Sequence, residues 1–184
     1  MMNWFKNLNL PNQLTLIRIL LIPLFLIFLF ITGGIFRFIP LIIFVGAAIT
    51  DAIDGHIARR DHLITDFGKF MDPLADKMLT AAAFIAFVEI GYLSSWVVIL
   101  IIAREFIISG FRTLAASNGV TISANSWGKV KTIFQMVLIV VILFHYTGYF
   151  GFFTLLITPL IFITVILTVV SGATYIYDNL NVLK

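Results

Sequence analysis

Six stretches of mostly apolar residues, each close to the roughly 20 residues a helix needs to cross hydrocarbon, constrain this chain most. They fall at about 14–31, 38–58, 68–90, 94–116, 127–146 and 150–175 of 184 residues. Composition removes the soluble alternative. The chain is 61% hydrophobic and 11% charged, with mean hydropathy +1.09, whereas a soluble domain is about 45–50% apolar and about 25% charged. No water-soluble core of this size hides so much apolar surface. The expected fold is all-α, an integral membrane bundle of six transmembrane helices. No linker, low-complexity tract or repeat interrupts 1–184, so one domain is expected. The first run is longer than a signal-peptide core and no small-residue cleavage site follows, so it is expected to stay as a helix. Residues 1–9, with Trp4, Phe5 and Lys6, are expected to form a short interfacial helix on the membrane surface. With no cysteine, disulfides and thiolate metal sites are excluded.

The net charge of +3 matters less than its distribution. Lys6, Arg59, Arg60, Lys69, Arg112, Lys129, Lys131 and Lys184 fall at one set of span ends, and Arg37 alone lies in the opposite loops. Tyr92, Trp96, Tyr146 and Tyr149 mark that uncharged side as an aromatic belt would. By the positive-inside rule the basic side faces the cytoplasm, with both termini on it.

At that side sits a fixed acidic pattern: Asp51-Ala-Ile-Asp54-Gly55-His-Ile-Ala58-Arg59, then Gly68-Lys-Phe-Met-Asp72-Pro-Leu-Ala-Asp76. An Asp at a helix centre costs roughly 2.5–3.5 kcal/mol to insert, so four central, unpaired ones would cost on the order of 10 kcal/mol. Their place near span ends makes that an upper bound, and cations must offset the rest. Asp51 and Asp54 share one helix face, as do Asp72 and Asp76. Hard oxygen donors without Cys or paired His suit Mg²⁺ or Mn²⁺, and two such ions could bind phosphate oxygens. Gly55 and Ala58 leave room on the acidic stripe, and Arg59 could pair with a phosphate. Pro73 is expected to bend the third helix. The plainer alternative is a solvated interfacial cluster, which fits one Asp better than the whole spaced set.

The string resembles the signature of the CDP-alcohol phosphotransferases, D-x2-D-G-x2-A-R-x8-G-x3-D-x3-D, and matches it at every fixed position. The likeness extends to Pro11-Asn12-Gln13-Leu14-Thr15-Leu16-Ile17-Arg18 at the first span. Arg104-Glu105 to Arg112 and Gly128-Lys129-Val130-Lys131-Thr132 are similar to the bacterial branch that makes phosphatidylglycerophosphate. The resemblance implies six transmembrane helices, a homodimer and an active site open to the cytoplasm. It implies that Asp51, Asp54, Asp72 and Asp76 hold two divalent cations, with Asp76 also the general base. Gly55, Ala58, Arg59 and Gly68 would line the CDP site. The implied reaction joins CDP-diacylglycerol to glycerol 3-phosphate and releases CMP, by direct displacement in phospholipid biosynthesis.

A dianionic acceptor needs fixed cations, and Arg104, Arg112, Lys129 and Lys131 are the candidates. Lysines and arginines at span ends also snorkel and set topology with no ligand at all. Glu105, seven residues before Arg112, is expected to be able to pair with it. Arg18, Thr15 and Asn12 form a polar stripe that could reach CDP or the acceptor, or could bond neighbouring helices. His56, His62 and His145 read as loop or interface residues. Other readings stay open: cardiolipin synthase, phosphatidylserine synthase or inositol-phosphate synthase chemistry on the same motif, a divalent-cation transporter, or a structural membrane subunit.

Overall fold

The computed structural model describes residues 10–31, 34–60, 66–119, 122–123 and 125–180. The side chains at 10–12, 34–35, 51–60, 66–73 and 76 lie outside the described set, as does the segment expected to lie on the membrane surface. Among the described residues there are six α-helices and no strand: α1 Leu10–Phe30, α2 Ile39–Arg60, α3 Asp66–Glu89, α4 Ser95–Ser117, α5 Ser126–Tyr146 and α6 Thr154–Asp178. Short 3₁₀ turns, Gly34–Phe38 and Gly151–Phe153, precede α2 and α6. The fold is the expected all-α membrane type.

Helix ends differ from the apolar runs for local reasons. Helix α1 starts ahead of its apolar run and takes Pro11 into its first turn, where backbone N–H groups lack partners anyway. Helix α2 carries the acidic motif to Arg60, within two residues of the expected end. Helix α3 is continuous through Pro73. Gly91 and Gly148 close α3 and α5 with φ of 82°, the left-handed conformation that lets the chain leave a helix while its last carbonyls stay bonded. Accordingly Tyr92 N donates to Phe87 O, and Gly148 N to His145 O.

Among the described residues, three segments are by length and composition apolar enough to cross a membrane: Gln13–Phe30, Ser126–Tyr146 and Gly151–Asp178. The other three helices carry more charged residues, among them Asp51, Asp54, Asp72, Asp76, Arg104 and Glu105, which dilutes their hydropathy.

The chain forms two compact units, Met1–Ala86 and Phe87–Lys184. In the first, α1 packs on α2, with Phe25, Leu29 and Phe44 buried and the Phe25 and Phe44 rings 6.2 Å apart. Thr15 and Arg18, three residues apart on α1, are both buried. In the second, α6 packs on both α4 and α5. Leu138, Ile139, Ile142 and Leu143 of α5 are fully buried there. Outward-facing side chains such as Leu155, Phe162 and Ile166 on α6 are exposed and apolar, as a helix facing lipid requires.

Candidate functional site

Backbone alone places the acidic motif. Asp51 and Asp54 fall within α2, and Asp72 and Asp76 within α3, each pair on uninterrupted helix. The three- and four-residue spacings therefore set each pair on one helix face. Gly55, Ala58 and Arg59 follow on α2, and Gly68 precedes the second pair on α3. Their side chains, and that of Asn12, lie outside the described residues. Among the described residues no group of three acids or histidines could hold a metal.

The second unit shows its cations in detail. Glu105 accepts from Arg104 Nη1 at 3.1 Å and also from Lys131 Nζ of α5. The Lys131 side chain is 2% exposed and the Glu105 side chain 25%. Lys131 is thus held inside the helix packing by a carboxylate, whereas Lys129 is exposed. The helix period accounts for this: two residues apart, the lysines cannot share a face. The expected pairing of Glu105 with Arg112 is corrected. Glu105 turns to Arg104 and Lys131, and Arg112 Nε instead donates to Tyr175 Oη at 3.0 Å. Arg104 is the residue next to Glu105 on α4 and Lys131 lies 26 residues away on α5, so helical spacing alone pointed to the wrong cation.

Arg104 lies along a slot made by two glycines. A Cβ at Gly172 on α6 would meet Arg104 Cγ at 3.2 Å, and one at Gly128 on α5 would lie 3.7 Å from Arg104 Nη2. Glycine within a helix costs roughly 0.5–1 kcal/mol relative to alanine, and the close approach of this arginine explains why α6 has one at 172. Arg104 also lines a groove of about 220 Å³ with Leu100, Ile107, Thr168 and Val169. Its Nε is buried, with no hydrogen-bond partner among the described residues.

Asn125 fixes the start of α5. Its Oδ1 accepts from Gly128 N at 2.8 Å, and its Nδ2 donates to Thr174 Oγ1 of α6 at 3.3 Å. The cap satisfies one of the free N–H groups at the helix start. Asn125→Ala is expected to lose about 1 kcal/mol of stability, which at this chain length lowers the melting temperature by about 2–4 °C. Thermal unfolding of the detergent-solubilised protein measures this. Sequence reasoning passed over Asn125, Tyr175 and Gly172. An Asn just ahead of an apolar run was a readable cap signal; the other two had none, because their partners are remote in sequence.

The structure therefore brings Arg104, Glu105, Lys131 and Gly128 together and joins Arg112 to Tyr175, with Gly172, Thr174 and Tyr175 placing these contacts within one turn of α6.

Comparison with known proteins places the chain in a family. The family model described as CDP-alcohol phosphatidyltransferase matches residues 8–173. A Bacillus subtilis protein named CDP-diacylglycerol–glycerol-3-phosphate 3-phosphatidyltransferase is 40% identical, over 96% of this chain and 97% of the relative. A Rickettsia felis protein of the same name is 35% identical over 91% and 93%. A Mycobacterium tuberculosis protein named probable phosphatidylglycerophosphate synthase is 37% identical over 91% and 80%. Matched along nearly its whole length, with the acidic motif carried on α2 and α3, this chain belongs to the CDP-alcohol phosphatidyltransferase family.

Proposed function

We propose that this membrane protein transfers the phosphatidyl group of CDP-diacylglycerol to glycerol 3-phosphate, forming phosphatidylglycerophosphate and CMP. The observation that carries the reading is the near full-length similarity to relatives named for that reaction. The intact acidic motif supports it independently. Asp51, Asp54, Asp72 and Asp76 would hold two divalent cations, Mg²⁺ or Mn²⁺. The donor set fits, being carboxylate oxygen throughout and spaced three and four along continuous helices. When bound, such cations would supply positive charge beside the pyrophosphate of the donor.

The acceptor hydroxyl is a poor nucleophile until it loses its proton, and Asp76 is the base that takes it. The hydroxyl oxygen then bonds to the phosphorus carrying diacylglycerol. The bond from that phosphorus to the CMP oxygen breaks, and CMP leaves with the electron pair. Gly55, Ala58, Arg59 and Gly68, with Thr15 and Asn12, would line the CDP site. Arg104 and Arg112 would bind the acceptor phosphate, supported by the exposed Arg112. Lys129, exposed at the start of α5, would join them. Arg18, buried on α1, and Lys131, paired with Glu105, are further candidates for binding that phosphate. The basic asymmetry and the bacterial relatives support a cytoplasmic-membrane location with the site and both termini facing the cytoplasm, and family likeness supports a homodimer.

Purified protein supplied with labelled CDP-diacylglycerol and Mg²⁺ is expected to release CMP with glycerol 3-phosphate alone. Release with phosphatidylglycerol, serine or inositol phosphate would reassign the acceptor. Release with none of them would remove the enzymatic reading.

A further inference from the structure

We infer that Tyr175 is a positioning residue for the acceptor phosphate, acting through Arg112; this rests on the proposed role of Arg112 in binding that phosphate. Tyr175 is 2% exposed, the largest side chain buried to that degree among the described residues. Its phenolic oxygen is a polar atom placed where α6 meets α4, and it takes Arg112 Nε as donor at 3.0 Å. The guanidinium carbon also stands over the ring, 5.6 Å from its centroid, so a cation–π contact accompanies the hydrogen bond.

The phenol is itself fixed. Phe111, next to Arg112 on α4, packs edge-on against the Tyr175 ring at 6.2 Å. Asn179 Nδ2 donates to the Tyr175 carbonyl at 2.8 Å and ties down the end of α6. A rigid acceptor therefore grips the Nε of an otherwise exposed arginine, while Nη1 and Nη2 have no partner among the described residues. Those two nitrogens form a planar fork of the kind that meets two phosphate oxygens at once. Holding Nε sets the plane and direction of that fork before the acceptor arrives, which removes a rotameric cost from binding. An arginine serving topology alone needs no such anchor, since a snorkelling side chain reaches water in many rotamers.

The test compares steady-state kinetics of Tyr175→Phe, Arg112→Gln and the double variant in the detergent-solubilised full chain. Phe keeps the ring and its packing and deletes only the hydroxyl. Tyr175→Phe is expected to raise KM for glycerol 3-phosphate about three- to tenfold, leaving kcat and KM for CDP-diacylglycerol within about twofold. In the Arg112→Gln background the same change is expected to move that KM by less than about twofold, because the coupling partner is gone. An unchanged KM for Tyr175→Phe alongside a raised KM for Arg112→Gln would overturn the positioning role alone. So would equal effects of Tyr175→Phe in both backgrounds, or a parallel loss of kcat for both substrates. An unchanged KM for Arg112→Gln would instead overturn the phosphate-binding role of Arg112 on which the inference stands.

Discussion

Asp76→Asn is expected to lower CMP release by about 10²–10⁴-fold, the range that a positioned proton acceptor contributes. Asparagine keeps the size and shape of the side chain but cannot take the hydroxyl proton, and it weakens any divalent-cation site built from the four acids. The substitution lies on a helix that extends from Asp66 to Glu89, ten residues past its start, so helix formation does not depend on it. The measurement is CMP release at saturating donor, acceptor and Mg²⁺, with the melting temperature as the check on folding. A variant that keeps wild-type turnover would remove Asp76 from the chemistry and leave the motif a solvated acidic cluster.

The largest stability effect is expected from Glu105→Leu. It deletes the carboxylate shared by Arg104 and Lys131 and leaves a 2% exposed ammonium without that partner. Breaking a buried pair from one side costs roughly 3–5 kcal/mol, which corresponds to a melting temperature lower by about 10 °C. Leucine has the right volume and a good helix propensity, so the loss reports charge rather than shape. Adding Lys131→Met should restore most of the stability, since both charges then leave together. Thermal unfolding of the two variants and the wild type decides the matter. A single variant as stable as wild type would show that this pair does not hold α4 to α5.

What was legible in the sequence follows from the range of the forces involved. Membrane helices announce themselves because every residue in a run contributes to the same local sum, and all six helices lie where apolar runs were read. The ends were less legible. Helix α2 ends at Arg60, within two residues of its expected end, but α1 begins at Leu10, four residues ahead of the run read from 14, because Leu10–Gln13 is helical without being uniformly apolar. The motif was readable because its information is in intervals along one chain. The cation cluster was not, since Glu105 meets a lysine 26 residues away and Arg112 a tyrosine 63 residues away. Positive-inside counting treated Lys129 and Lys131 alike, yet one is exposed and the other buried. Only the rotation of α5 against its neighbours separates them. Gly172 was silent for a related reason: a missing side chain shows its purpose only when the arginine beside it is in view.

The link between α4 and α5 also gives the order of synthesis a physical meaning. Glu105 leaves the ribosome 26 residues ahead of Lys131. During that interval a carboxylate and a guanidinium, adjacent on α4, lack the ammonium of Lys131 to offset the cost of entering hydrocarbon. The fourth helix is thus a poor passenger alone and a good one once its lysine-bearing neighbour arrives, so the two are best delivered to the bilayer as a hairpin.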